Sequence, residues 1–178
     1  MLNIEVEIRS FISKEKYEEL LQFFANNGEM LNKDYQETYY FDAPTDLRIQ
    51  KNNSFSKIWL KKGKMHDEFR EEIEIKFPRE DFEKLEKLFL TLGYNVQIKW
   101  FRDRHEFNWN DIKVCLDYSK GYGHILEIEK LCDENEKEHA LEMLKQKFKE
   151  LNIQITPREE FDAKFNHYKE NWKALIKN

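Results

Sequence analysis

The stretch Ile4-Glu5-Val6-Glu7-Ile8-Arg9, near the start of the chain, alternates apolar and charged residues without interruption. A period of two is typical of a β-strand, and it places Glu5, Glu7 and Arg9 together on one face. Alternation and turn signals predict seven further strands, at 35–42, 46–51, 55–61, 69–76, 97–108, 111–118 and 124–130. Several of them repeat the division between an apolar face and a charged face.

Amphipathic helices separate the groups of strands. Helix starts are predicted at Ser13, after Pro78, at the capping-box pair Asp133 and Glu136, and at Thr156 with Pro157. The predicted order is βα-ββββ-α-βββ-αα, and the short turns between strands indicate mostly antiparallel pairing. The whole chain, 1–178, is expected to form a single domain, with a C-terminal helix in 156–178.

The placement of the charges decides between two architectures. A half-solvated antiparallel sheet would turn its charged face to water. However, the helices also have to bury apolar stripes, and the apolar face of the sheet is their natural partner. We therefore predict an α+β fold, a closed antiparallel eight-stranded β-barrel with a charged lumen and helices packed outside.

The charges on the predicted inner faces balance, as a buried charged lumen requires. The acids are Glu5, Glu7, Glu72, Glu74, Asp117, Glu127 and Glu129, and the bases are Arg9, Arg48, Lys61, Arg70, Lys76, Arg102 and Arg104, seven of each.

Composition excludes several classes of protein. The 178 residues are 40% hydrophobic, enough for a core, and the net charge of −5 with a pI near 5.7 argues against a nucleic-acid partner. The sequence lacks an apolar run of roughly 18 residues, so no membrane partner is expected. Two cysteines do not suggest a disulfide framework, which favours a cytoplasmic location. The sequence also lacks a P-loop and a Rossmann motif.

A charged lumen suits a polyanion with metal ions. Basic side chains would hold phosphate oxygens, and clustered carboxylates would hold Mg²⁺ or Mn²⁺, which take oxygen ligands. Glutamates at i and i+2 on a strand point the same way, so Glu5 with Glu7 and Glu127 with Glu129 each form a two-carboxylate pair.

Several motifs resemble the CYTH, or triphosphate tunnel metalloenzyme, superfamily, which includes class IV adenylyl cyclases and thiamine triphosphatases. Glu5-Val6-Glu7-Ile8-Arg9 is similar to its E-x-E-x-K signature. Asp117, followed by a glycine-containing turn and Glu127-Ile128-Glu129, is similar to its D…E-x-E signature. Leu47-Arg48-Ile49 and Ile58-Trp59-Leu60-Lys61 resemble its L-R-x-R and L-T-L-K strands. The resemblance covers about 1–155.

The resemblance implies roles for individual residues. The implied metal ligands are Glu5, Glu7, Glu127, Glu129 and Asp117; the implied catalytic residues are Asp117, Arg9 and Lys61; the implied substrate-binding residues are Arg9, Arg48, Lys61, Arg70, Lys76, Arg102 and Arg104. Glu72 and Glu74 are further lumen candidates. Arg9 replaces the signature lysine and keeps its positive charge. Gln50 replaces the second basic residue of L-R-x-R, so one phosphate contact is expected to be missing.

The resulting prediction is a metal-dependent phosphohydrolase that cleaves the terminal phosphate of an organic or inorganic triphosphate, such as a nucleotide, thiamine triphosphate or tripolyphosphate. The alternatives are a class IV adenylyl cyclase, which converts ATP to cyclic AMP and pyrophosphate, and a catalytically weak binder of polyphosphate or nucleotide. A homodimer through a barrel edge or the aromatic last helix stays open.

Overall fold

A computed structural model describes residues 4–61 and 72–177 of the chain. The strands are β1 Ile4–Ile12, β2 Glu29–Phe41, β3 Asp46–Lys51, β4 Phe55–Lys61, β5 Glu72–Pro78, β6 Val96–Trp109, β7 Ile112–Ser119 and β8 Gly123–Cys132. The helices are α1 Lys14–Asn27, α2 Phe82–Thr91, α3 Lys137–Glu150 and α4 Arg158–Leu175. The predicted order of strands and helices is confirmed. Arg70 lies outside the described residues, as do the side chains of Lys61 and Glu72.

The eight strands form one antiparallel sheet in the order β1-β8-β7-β6-β2-β3-β4-β5. The α+β fold and the eight antiparallel strands are therefore confirmed. Within the described residues, β1 and β5 lie at the two ends of this order and are not hydrogen-bonded to each other. The predicted closed barrel is thus not confirmed by hydrogen bonding.

The register around the β6–β7 turn is fixed by a two-residue hairpin. Trp109 pairs with Ile112, and Asn110 and Asp111 between them have φ angles of 52° and 59°. Two adjacent residues with positive φ are typical of the tight turn whose twist matches that of the flanking strands. This register places Arg104 opposite Asp117, so Arg102 and Arg104 share the face of that aspartate.

Three helices cover the apolar face of the sheet, as predicted. Helices α1 and α3 pack on β1, β6, β7 and β8 through a core that includes Leu20, Phe24, Phe107, Leu144 and Phe148. Helix α2 packs on β2 and β3. Ser13 accepts a hydrogen bond from the Lys16 N–H at the start of α1, and the predicted capping box of Asp133 and Glu136 precedes α3.

Helix α4 differs from the prediction that helices pack outside. Phe161, Tyr168 and Trp172 of α4 form a cluster with Ile98 and Ile125, which lie on the same strand faces as the predicted site residues. Apolar side chains at one end of those faces provide the partner that the aromatic stripe of α4 needs. The helix therefore covers one end of the charged face of the sheet.

The start of α4 also differs from the prediction. The helix begins at Arg158, and the Thr156 hydroxyl does not cap it. Instead, Thr156 Oγ1 lies 2.8 Å from Ser10 Oγ and accepts a hydrogen bond from the Phe11 N–H at 3.0 Å. Because β1 is an edge strand, these bonds satisfy an edge N–H and fix the segment between α3 and α4 to it.

Strand β2 begins at Glu29, six residues before the predicted start. Its first half pairs with β6, from Glu29 opposite Asn108, with a register shift between Met30 and Asn32. Residues 29–34 lack a clear alternation, and Met30 and Leu31 are exposed. The backbone N–H and C=O groups of the long strand β6 require hydrogen-bonding partners there. Strand β2 therefore extends beyond the stretch that its own sequence predicts.

Candidate functional site

The face of the sheet opposite α1, α2 and α3 carries the predicted site residues and is called the charged face below. Its side chains are Glu5, Glu7 and Arg9 of β1, Glu127 and Glu129 of β8, Lys113, Cys115 and Asp117 of β7, Arg102, Arg104 and Glu106 of β6, Gln36 and Thr38 of β2, Arg48 and Gln50 of β3, Lys57 and Trp59 of β4, and Glu74 and Lys76 of β5. The centre of this face is largely buried, unlike a flat solvated sheet face.

The carboxylates of β1 and β8 converge. Glu7 pairs in register with Glu129, and Arg9 pairs with Glu127. The negative charge of Glu127, followed by burial, raises the pKa of Glu7 to about 7, although Arg9 opposes the rise. A carboxyl whose pKa is raised mainly by another carboxylate lies in a site that holds more negative charge than its own bases neutralise.

Within the part of the chain that the structure describes, Glu127, Glu129 and Cys115 form a group of potential metal ligands. One ligand atom from each lies within 4.8 Å of the others. The side chain of Glu129 is 12% exposed, and its burial raises its pKa, against the effect of Lys113. Two converging carboxylate pairs with unneutralised charge fit a hard divalent cation, which takes oxygen ligands.

Lys113 supplies the nearest positive charge to this group. Its ammonium donates to Glu129 at 2.9 Å and lies 3.5 Å from Glu106. Burial, the largest single effect, would lower the pKa of Lys113, but the hydrogen bond to Glu129 and the nearby negative charges together outweigh it, so the pKa is raised. Lys113 thus provides one positive charge among several carboxylates.

Asp117 holds the two arginines of β6. Arg104 donates to it through Nε at 2.8 Å and Nη2 at 2.6 Å, and Arg102 Nη1 lies 3.3 Å away. The Asp117 side chain is only 3% exposed. Burial would raise its pKa, but the two guanidinium groups lower it. Arg104 also reaches Glu127 at 3.3 Å, which links the arginines to the acidic group.

Polar residues of β2 and β3 extend this network. Arg102 Nε donates to Gln36 at 3.0 Å, and Gln50 Nε2 donates to Thr38 Oγ1 at 2.9 Å. Gln50, at the position expected for a second arginine, is therefore a buried amide in a hydrogen-bonded chain. Arg48 binds Asp46 through Nε at 2.6 Å and lies over the Tyr40 ring at 4.3 Å.

Strands β4 and β5 carry the last part of the charged face that the structure describes. Lys57 donates to Glu74 at 2.7 Å, and Lys76 lies 3.7 Å from the same carboxylate. Lys76 is predominantly exposed, with 62% of its side chain in contact with solvent. At the opposite end, the Arg9 guanidinium lies 5.1 Å from the centre of the Phe161 ring of α4.

The structure brings most predicted site residues onto one face, in three groups. Glu5, Glu7, Glu127 and Glu129 form the acidic group, Asp117 with Arg102 and Arg104 forms the central group, and Arg48 and Lys76 lie on β3 and β5. Their roles in binding and catalysis stay predictions. The predicted set omitted Lys113, Glu106, Cys115, Lys57 and Trp59, although the alternation of β4, β6 and β7 places all five on this face.

Within the described ranges 4–61 and 72–177, no helix is both long and apolar enough to cross a membrane.

Comparison with known proteins identifies relatives over most of the chain. The family model described as the CYTH domain matches residues 3–165. A Methanocaldococcus jannaschii protein named "Putative adenylate cyclase MJ0240" is 33% identical over 141 residues, which cover 79% of this chain and 75% of that protein.

Solved structures share the fold. A conserved hypothetical protein from Pyrococcus furiosus matches with a TM-score of 0.72 and 26% identity, over 86% of this chain and 96% of that one. A Vibrio parahaemolyticus structure described as a "putative adenylate cyclase" matches with a TM-score of 0.66 and 15% identity, over 92% of this chain and 99% of that one. At that identity, the second match concerns the fold alone.

Proposed function

Because the chain belongs to the CYTH domain family, we propose that it is a divalent-metal-dependent phosphohydrolase that cleaves the terminal phosphate of a triphosphate bound along the charged face. The observation that carries the proposal is the acidic group beside a row of bases. The charge of Glu127, followed by burial, raises the pKa of Glu7 to about 7. Arg102 and Arg104 contact Asp117, and Arg104 also contacts Glu127 of the acidic group. Carboxylates for a metal ion and arginines for phosphate thus occupy adjoining parts of one surface.

The metal would be held by Glu5, Glu7, Glu127 and Glu129, with Mg²⁺ or Mn²⁺ as the hard cations that suit these ligands. A divalent ion bound there would neutralise phosphate charge and polarise a water molecule for attack on the terminal phosphorus. Asp117 is already bound by two guanidinium groups, so its role in this scheme is to position Arg102 and Arg104.

The basic residues hold the phosphate chain by charge-assisted hydrogen bonds. Arg102 and Arg104 are next to the acidic group, Arg9 lies beside Glu127 in register, and Arg48 lies farther along the sheet on β3. Lys76 of β5 is proposed to extend this row, and Lys61 and Arg70 are proposed to bind phosphate on the resemblance alone. Water adds to the terminal phosphorus as the bridging P–O bond breaks, which gives orthophosphate that carries the water oxygen and its protons. The bridging oxygen leaves with the remaining diphosphate, and Arg9 and Lys61 neutralise the negative charge that develops on it.

We also propose that the sheet closes into the barrel expected from the sequence, with the charged face lining its lumen. Asp117, Arg104, Glu127 and Glu129 are largely buried although they lie opposite the helix-covered face, which supports a sheet that curves around them. Helix α4 covers one end of the charged face, so a ligand would enter from the other end.

The name of the Methanocaldococcus jannaschii relative favours a second candidate, the cyclase reaction. In that reaction the 3′-hydroxyl of ATP attacks the α-phosphorus, and pyrophosphate leaves with formation of cyclic AMP. The charged face would bind the same phosphates in both reactions.

Phosphorus NMR of the protein with Mg²⁺, given ATP and tripolyphosphate in separate samples, distinguishes the two. Release of orthophosphate supports the hydrolase, whereas pyrophosphate with cyclic AMP supports the cyclase. Binding without turnover in either sample would contradict both and favour a protein that only binds polyphosphate or nucleotide.

A further inference from the structure

Trp59 has a buried hydrogen-bond donor without a partner. The residue is 6% exposed and lies on β4, where it pairs in register with Arg48 of β3 and Glu74 of β5. Among the described residues, its indole Nε1 is the one buried side-chain nitrogen or oxygen atom that makes no hydrogen bond. Buried polar groups are nearly always hydrogen-bonded in native proteins, so such an exception calls for an explanation.

Two other indoles of the charged-face region, that of half-buried Trp100 and that of buried Trp172, show that the fold can satisfy this group. Trp100 Nε1 donates to Ser119 Oγ at 2.9 Å, and Trp172 Nε1 donates to the Gln97 carbonyl at 2.8 Å. Trp59 therefore differs from tryptophans of the same chain in the same part of the fold. A buried donor without a partner destabilises the unliganded protein, and a ligand that accepts a hydrogen bond from it would remove this cost.

The surroundings of Trp59 indicate the chemistry of that ligand. The Lys57 ammonium lies 4.5 Å from the centre of the indole ring, and the Arg48 guanidinium lies 5.7 Å from it. Both cations contact the face of the ring, which leaves its N–H edge as the group for recognition. A donor beside two cations favours an acceptor that carries negative charge.

We propose that the Trp59 Nε1–H donates a hydrogen bond to a phosphoryl oxygen of the bound phosphate chain, in a subsite that Arg48 and Lys57 complete. The proposal rests on the proposed function and adds to it a neutral, directional donor. Lys57 is the side chain best able to open the way to the indole, since its ammonium lies over the ring on a flexible stem. On binding, its charge is shared between Glu74 and the ligand.

Nitrogen-15 NMR of the indole N–H groups tests this contact directly. The Trp59 resonance is assigned by its loss in Trp59→Phe, and that of Trp172 by its loss in Trp172→Phe. Tripolyphosphate, added with EDTA and then with Mg²⁺, is expected to move the Trp59 proton downfield, as a new hydrogen bond to an anionic oxygen does. The Trp172 proton, already bonded to a carbonyl, should stay in place.

Calorimetry measures the consequence for affinity. Trp59→Phe keeps the ring but removes the donor, so tripolyphosphate should bind roughly 10- to 100-fold more weakly, the usual effect of losing a hydrogen bond to a charged group. Trp172→Phe, the matched control, should bind as the parent does. Unliganded Trp59→Phe should melt at the same or a higher temperature, because the substitution removes an unpaired buried donor.

The outcomes separate this inference from the proposed function. If tripolyphosphate binds to the parent but the Trp59 resonance does not move, or Trp59→Phe binds equally well, the inference is wrong and the proposed function stands. A shift with ATP but none with tripolyphosphate would also overturn it, since the contact would then be to the nucleoside. If neither tripolyphosphate nor ATP binds to the parent, both fail.

Discussion

Glu7→Gln should make the metal-free protein more stable and the metal-loaded protein less stable than the parent. Glu7 faces Glu129 across the β1–β8 ladder, and Glu127 is the main cause of its raised pKa. At pH 8 without metal, Glu7 of the parent is ionised, so the parent carries the full electrostatic repulsion between Glu7 and Glu127. Glutamine has nearly the same shape and no charge, so the substitution removes the repulsion and also one proposed metal ligand.

The size of the effect follows from the pKa. A rise of the Glu7 pKa from 4.5 to about 7 corresponds to ~3 kcal/mol at ~1.4 kcal/mol per unit. Because 37% of the side chain is exposed, solvent screening reduces this to about 1–2 kcal/mol. Between pH 4.5 and 7 the folded protein binds more protons than the unfolded chain, so this contribution makes stability fall as the pH rises. At pH 5 parent and variant should therefore be nearly equal.

Thermal unfolding in EDTA and in Mn²⁺ tests both halves of the prediction. At pH 8 in EDTA the variant should melt about 2–8 °C above the parent, at about 2–4 °C per kcal/mol for a domain of this size. Mn²⁺ at 100 times its Kd should add about 2.7 kcal/mol to the parent and far less to the variant, so the order reverses. Glu170→Gln, an exposed substitution on α4, is the control. Equal melting temperatures in EDTA at pH 8, or an equal gain from Mn²⁺, would refute the reasoning.

Three further predictions concern the rest of the structure. Asp117→Asn should lower the free energy of unfolding by about 3–5 kcal/mol in urea, because two arginines lose a buried partner; a loss below about 1 kcal/mol would contradict this. Thr156→Ala should cost about 1–2 kcal/mol and speed proteolytic cleavage between α3 and α4, and unchanged cleavage would show that the bonds to Ser10 and Phe11 do not fix this segment. Burial raises the pKa of the Cys115 thiol, so iodoacetamide at pH 8 should modify it only after unfolding in urea, and rapid alkylation of the folded protein would oppose this account.

The period-two pattern predicted much of the fold and of the site. Alternation around Glu5, Glu127 and Asp117 assigns these residues to one face whatever the loop lengths, because neighbouring strands keep their faces aligned in a sheet. The apolar stripes of α1, α2 and α3 then require the opposite face. For this reason, the placement of the acidic group on the charged face followed from residue types and spacing alone.

Other features depend on tertiary contacts that no local pattern specifies. The β6–β7 register depends on whether the turn has two residues or more, and the positive φ angles of Asn110 and Asp111 decide it. The stripe of α4 is amphipathic in the same way as that of α3, yet α4 packs on the charged face because Ile98 and Ile125 form an apolar end there. The unpaired indole of Trp59 is likewise a property of its neighbours, and the sequence shows only a tryptophan on a strand.

The rate of metal-dependent turnover by matched variants tests the central claim most directly. The parent, Glu129→Gln and the exposed control Glu170→Gln are compared with tripolyphosphate and with ATP in Mn²⁺ and in EDTA. We predict Mn²⁺-dependent release of orthophosphate by the parent and the control, and a loss of at least 100-fold, about 2.7 kcal/mol in the barrier, for folded Glu129→Gln. Absence of Mn²⁺-dependent turnover in the parent, or full activity in Glu129→Gln, would contradict the assignment of the charged face as a metal-dependent active site.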